Sequence, residues 1–226
     1  MGPIISIKNL NKKFYTPGGD LHVLKDITLG LQKGEMAAIM GPSGVGKSTL
    51  LHIIGALDRP TSGNVLYEGV DVFDLKNDKL AEFRNKTIGF VFQFHHLLPE
   101  FNTIENVMMP ALIAGMRRDE AYERAGRILG EVGLKERILH KPGEISGGEQ
   151  QRVAVARALI LEPRVILADE PTGNLDTHTG EELFILLTEL NKKGLTLLIV
   201  THNEDLASQC GRIIRMLDGK VTQGIS

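Results

Sequence analysis

Tryptophan is absent from this 226-residue chain, cysteine occurs once, and aromatic residues make up only 5%. The single thiol, Cys210, excludes an intramolecular disulfide and any cysteine-based zinc spacing. It reads as a small apolar residue in a reducing compartment. Long hydrophobic runs are missing too. The longest apolar stretch, Val107–Met116, is broken by Pro110 and Gly115, far short of the ~20 residues that span a bilayer. No basic start leads into an apolar run, so no secretory signal is expected. Neither charge sign is in excess: Lys and Arg total 26, Asp and Glu 28, a net charge of −2. Broad nucleic-acid binding needs a clustered positive excess, so no nucleic-acid partner is expected. No internal repeat or low-complexity tract is visible.

Glycine, by contrast, is plentiful, at 25 of the 226 residues, against a usual ~7%. The length suits one domain with an added lobe, large enough to need no disulfide or metal staple. Strand patterns fall at Val23–Leu31, Glu35–Met40, Ile88–Phe92, Val165–Ala168 and Thr196–Val200, with a turn at Thr16–Gly19. Helical patterns run from Lys47 to about Leu57, from Ser146 to about Leu161 and over about Gly180–Asn191. Ala121, Ala125, Ile128, Leu129 and Val132 recur on one helical face, and Gly133 is a plausible stop. Buried strands alternating with helices predict a mostly parallel sheet covered on both faces. From about Phe94 to Leu161 the texture is helical, which reads as an inserted lobe.

Gly41-Pro42-Ser43-Gly44-Val45-Gly46-Lys47-Ser48 fits G-x-x-x-x-G-K-[ST], after a strand and opening a helix. Glycines let backbone N–H groups converge on phosphates, and the helix N-terminus adds unpaired donors. Lys47 would reach the β- and γ-phosphates and Ser48 would ligate Mg²⁺. Val165–Glu170 is an apolar strand ending in two acids, Asp169 and Glu170. Asp169 suits magnesium binding, and Glu170 suits a general base that polarises the attacking water.

Ser146-Gly147-Gly148-Glu149-Gln150-Gln151-Arg152 opens the long helix. Ser146 and Glu149 form a capping box. Two glycines in the first turn cost about 1 kcal/mol each relative to alanine, and capping does not require them. Close approach of an anion to the helix N-terminus does. A second phosphate site on the chain is most simply reconciled with the first by a head-to-tail dimer.

With these motifs in order, the chain resembles the nucleotide-binding subunit of an ATP-binding cassette (ABC) transporter over essentially all its length. Gly41–Ser48 resembles Walker A, Gln93 the Q-loop glutamine, and Ile145–Glu149 the signature. Val165–Glu170 resembles Walker B with its catalytic glutamate, Leu175-Asp176 the D-loop, and His202 the switch histidine. Ile145 and Glu149 depart from the usual Leu and Gln, and the charge of Glu149 makes it a poor phosphate ligand unless it turns away.

The resemblance implies an α/β P-loop NTPase (RecA-like) fold. It has a mostly parallel sheet core and an antiparallel β subdomain over about 1–93 and 162–226, and an α-helical lobe over about 94–161. It implies ATP and Mg²⁺ as cofactors. ATP contacts are expected from Gly41, Pro42, Ser43, Gly44, Val45, Gly46, Lys47, Ser48 and Thr49, with Phe14, or else Tyr15, stacking on adenine. Ser146, Gly147, Gly148 and Asp176 would serve the partner's nucleotide across a homodimer. Glu170, His202, Lys47 and Gln93 would be catalytic, and Ser48, Gln93 and Asp169 would meet the metal.

Leu97, Leu98, Phe101, Met108 and Met109 would line a groove for integral membrane subunits, on the cytoplasmic face of a bacterial inner membrane. The wording of Phe92–Phe101 and Glu105–Pro110 resembles the branch serving lipoprotein release, with macrolide-exporter and cell-division ATPases as near alternatives. A soluble mechanoenzyme of the chromosome-maintenance kind would need a long coiled coil between the two halves of its site. Lys47 and Ser146 stand only 99 positions apart, which leaves no room for one.

Overall fold

The computed structural model describes residues 2–17 and 19–222. In chain order the elements are β1 (Ile5–Thr16), β2 (Gly19–Leu31), β3 (Met36–Met40), α1 (Lys47–Ile54), β4 (Ser62–Tyr67), β5 (Val70–Asp71) and α2 (Asn77–Thr87). Then follow β6 (Ile88–Phe92), α3 (Thr103–Ile113), α4 (Arg118–Glu131), α5 (Gly147–Leu159), β7 (Val165–Asp169) and α6 (Thr177–Lys192). The chain closes with β8 (Thr196–Val200), α7 (Glu204–Ser208), β9 (Arg212–Leu217) and β10 (Lys220–Thr222). No helix among the described residues is long and apolar enough to cross a membrane. The chain divides into two compact units, residues 1–81 with 191–226, and residues 82–190.

In the first unit, β2, β1, β4 and β5 form an antiparallel sheet in that order. Ile5, Ile7, Leu10, Leu24, Ile27 and Leu31 are buried on it. A second set of strands runs β10-β9-β3-β8. β3 is parallel to β8 and β9, and β10 is antiparallel to β9. Every residue of β3 and β8 is buried, as expected for parallel strands covered on both faces. Buried Tyr67 donates its hydroxyl to Ile54 O at 2.8 Å and ties β4 to α1.

In the second unit, β6 and β7 pair in parallel, with Phe92 opposite Asp169. Between them the chain holds α3, α4 and α5 with two short 3₁₀ turns and, among the described residues, no strand. Ala121, Ala125 and Leu129 form the buried face of α4, and Val132 is buried just beyond it.

The α/β class and the parallel strands are as expected, while several elements differ locally. The turn at Thr16–Gly19 includes Gly18, which lies outside the described residues. The helix predicted to Leu57 stops at Ile54, because Gly55 caps it and Ala56 turns to φ +54°. The helix predicted from Gly180 starts three residues earlier, behind the Asp176 cap. Pro110 lies inside α3, where it removes only one intrahelical donor near the C-terminal end. β4, β5, α2, β9 and β10 were not legible. β4 opens on Ser62-Gly63-Asn64, weak strand formers, and takes its form from pairing with β1, where Ile5 faces Tyr67.

Candidate active site

The loop after β3 is shaped by steric demands that only glycine meets. Gly46 sits at φ +104°, and a Cβ there would approach Leu24 Cδ2 and Val23 Cγ1 to 2.9 Å. α1 then begins with no capping side chain and no acid in its first turn. Its first N–H groups are therefore left for an anion. Lys47 curls across the loop, donating Nζ to Gly41 O at 2.8 Å and Pro42 O at 3.0 Å. Ser48 and Thr49 occupy the first turn of α1.

His202 reaches the same region by register. Ile39 lies opposite Val200 in the parallel β3–β8 pair, so Gly41 and His202 both leave the carboxyl ends of adjacent strands. Ligands favour that edge of an open α/β sheet. Thr201 N donates to Ile39 O, and Asn203 caps α7, which holds the exposed His202 between two fixed points. In the same unit, Phe14 and Tyr15 are both exposed near the end of β1, and Lys12 Nζ lies 4.9 Å from the Phe14 ring centroid. Neither aromatic is committed to core packing.

The second unit repeats the arrangement. Phe92 faces Asp169 across β6–β7, so Gln93 and Glu170 follow adjacent strand ends. Glu170 adopts φ +47°, and its carbonyl accepts from Gly173 N at 3.0 Å. That turn brings Asn174 back to Gln93: Gln93 Nε2 donates to Asn174 Oδ1 at 2.9 Å, and Asn174 Nδ2 donates to Gln93 O at 3.1 Å. No local pattern marks Asn174; the reciprocal amide pair, spanning 81 residues, reveals it.

The signature turn is as expected at its cap. Ser146 Oγ accepts from Glu149 N at 3.2 Å, and Glu149 Oε2 accepts from Ser146 N at 2.8 Å. Glu149 Oε1 also accepts from Arg137 Nε at 2.9 Å, so its charge turns back onto its own chain. The Ser146 N–H bond, then Arg137, hold its carboxyl below the usual range. The glycines divide in role. A Cβ on Gly148 would come within 2.3 Å of Thr179 Cγ2 on α6, whereas one on Gly147 would meet only Leu175 Cδ2, at 3.8 Å. Gly148 therefore has an internal packing reason, which the spacing alone had attributed to an approaching anion. Asp176 caps α6, with Oδ1 accepting from Thr179 N and Oδ2 from Thr179 Oγ1; these bonds hold its carboxyl below its ordinary pKa.

Of the apolar residues expected to face membrane subunits, Leu98 and Phe101 are exposed, but Met108 is core. Phe94 is 64% exposed and is the strongest apolar feature of the segment. Burial, then the charges of His96 and Arg157, lower the pKa of His95. No group of three or more metal-binding side chains occurs among the described residues.

Known proteins are similar to this chain in sequence and in fold. A family model described as ABC transporter matches residues 24–173. The lipoprotein-releasing system ATP-binding protein LolD of Syntrophus aciditrophicus (strain SB) is 57% identical over 219 residues, 96% of this chain and 98% of that protein. LolD of Myxococcus xanthus (strain DK1622) is 51% identical over 97% of this chain and 99% of that protein. Among solved structures, the dimeric structure of MJ0796, a bacterial ABC transporter cassette, superposes with a TM-score of 0.90 at 42% identity, covering 98% of both chains. A dimeric post-hydrolysis state of MJ0796 bound to ADP and Pi matches at TM-score 0.90 and 41% identity, with the same coverage.

Proposed function

Because this chain belongs to the ABC transporter family, we propose that it hydrolyses ATP as an ATP-dependent homodimer that drives integral membrane subunits in lipoprotein release. The observation that carries the reading is the 57% identity to a lipoprotein-releasing ATPase over 96% of this chain and 98% of that protein. The segment Phe92–Pro110, which faces membrane subunits in this reading, lies inside that span. The place of work is the cytoplasmic face of a bacterial inner membrane.

Each residue has a task that its chemistry suits. The loop Gly41–Gly46 and the first turn of α1 would bind phosphate oxygens through backbone N–H groups, with Lys47 exchanging its two carbonyl partners for them. Hard oxygen donors suit Mg²⁺, which keeps several waters and takes few protein ligands; Ser48, Asp169 and Gln93 provide oxygens of that kind. When bound, Mg²⁺ neutralises charge developing on the phosphates. Glu170 would take the proton of the attacking water, and His202 would hydrogen-bond the γ-phosphate. Phe14 would stack on adenine. Ser146, Gly147, Gly148 and Asp176 would meet the partner's nucleotide. The helices over about 94–161 would form the lobe that carries this motion to the membrane.

The test is to purify the Glu170→Gln protein with ATP from mildly solubilised membranes and identify what accompanies it. Two different membrane subunits with large extracytoplasmic domains are expected. One such subunit in two copies would move the assignment to exporters of the macrolide kind. Absence of any membrane protein would overturn the transport reading.

A further inference from the structure

The signature helix α5 carries two polar residues that grip the end of β6 and the chain that follows it. Gln151 is 1% exposed, and its Nε2 donates to Phe92 O at 2.8 Å. Arg157, six residues further along α5, donates Nη2 to His95 O at 2.6 Å and Nη1 to His96 O at 2.8 Å. Three backbone carbonyls flanking Gln93 are thus held by one helix, across 59 to 62 residues of sequence. Two successive carbonyls can meet one guanidinium fork because His96 adopts φ +48°, which bends the segment at that point. The His96 ring also packs edge-on against Phe92, with centroids 5.4 Å apart.

The energetics favour orientation over stability as the purpose. Gln151 Oε1 is buried and finds no hydrogen-bond partner. A buried amide whose carbonyl goes unmatched repays little of its own desolvation, so its one bond to Phe92 O is a weak source of net stability. What an apolar side chain would not do is fix the direction of the Phe92 carbonyl, and with it the peptide that leads into Gln93.

We propose that Gln151 and Arg157 are positioning residues: a clamp from the signature helix that sets the place of Gln93 and links it to the exposed Phe94–Phe101 segment. The inference rests on the role given to Gln93 above. Removing the clamp leaves the nucleotide-binding loop untouched and misplaces Gln93. A displacement of about 1 Å at a catalytic group can cost up to 10²-fold in rate.

The experiment measures kcat and KM for ATP in the full chain, for wild type, Gln151→Met, Gln93→Ala and the double variant. Gln151→Met is expected to lower kcat about tenfold, with KM for ATP within twofold. In the Gln93→Ala background it is expected to have no further effect, because residues acting through one another are non-additive. Where Gln93→Ala itself slows turnover, an equal fall in both backgrounds, or none in either, would overturn the clamp. Amide hydrogen exchange supplies a second readout. Exchange over residues 93–97 should quicken at least tenfold in Gln151→Met and in Arg157→Lys, with Val153–Ala156 of α5 unchanged. Parallel loosening of α5 would reduce both residues to structural ones. If Gln151→Met does not fold, Arg157→Lys carries the same comparison. Wild-type turnover in Gln93→Ala alone would count against the catalytic reading, and the clamp would then stand or fall on the exchange data.

Discussion

Lys47 spends its ammonium on two backbone carbonyls of the loop it belongs to, Gly41 O and Pro42 O. One bond is exposed and the other part-buried, in a loop that glycine stereochemistry already shapes, so the lysine is not needed to hold the fold. Lys47→Ala is therefore expected to abolish ATP turnover, by at least ~10²-fold for a lost charge-stabilising donor, while the thermal midpoint stays within a few degrees. Phosphate release and a melting curve on one preparation check both halves; near-normal turnover would sink the phosphate-loop assignment. Cys210 is the opposite kind of residue. Burial pushes its thiol up to about 11, and the thiolate is the reactive form. Alkylation by iodoacetamide should be very slow at pH 7.5 and climb only as the pH approaches 11, well above the ~8.5 of free cysteine. A rate profile with its midpoint near 8.5 would contradict the burial.

Elements are joined here by a few contacts that tolerate no added atom. α5 and α6 meet where Gly148 faces Thr179, with 2.3 Å available to a new Cβ. The obstructing atom is the threonine methyl, while Thr179 Oγ1 and N are engaged with Asp176. Gly148→Ala should therefore lower the melting midpoint by several degrees, an overpacking cost of roughly 1–3 kcal/mol. Thr179→Ser removes the methyl and keeps the hydroxyl, so adding it should recover most of the loss. Thermal denaturation of the two single variants and the double decides this, and failure of the second change to compensate would show that the strain lies elsewhere. The helix start at Ser146 was legible because a capping box is local, within four residues. Thr179 was invisible as the partner of Gly148 because it lies 31 residues further on, in another helix.

At the scale of the molecule, nucleotide binding and base chemistry fall to different residues. Glu170→Gln should cost roughly 10²–10⁴-fold in hydrolysis rate, as loss of a general base does, and leave ATP binding intact. The variant should elute as a dimer in ATP and Mg²⁺ and as a monomer without nucleotide, by size exclusion with light scattering; a monomer under both conditions would count heavily against the shared-site reading. The sequence by itself determined whatever depends on near neighbours. The phosphate loop, the acidic strand end, the parallel strands and the helix caps each need fewer than about ten consecutive residues, and their periodicity or stereochemistry is written locally. Tertiary structure alone decided the rest. It buried Met108, gave Gly148 an internal reason to lack a side chain, turned the charge of Glu149 onto Arg137, paired Asn174 with Gln93, and set Gln151 and Arg157 on carbonyls some sixty residues away. Those outcomes depend on which distant side chains arrive at a given point. Packing across elements settles that, and no local pattern encodes it.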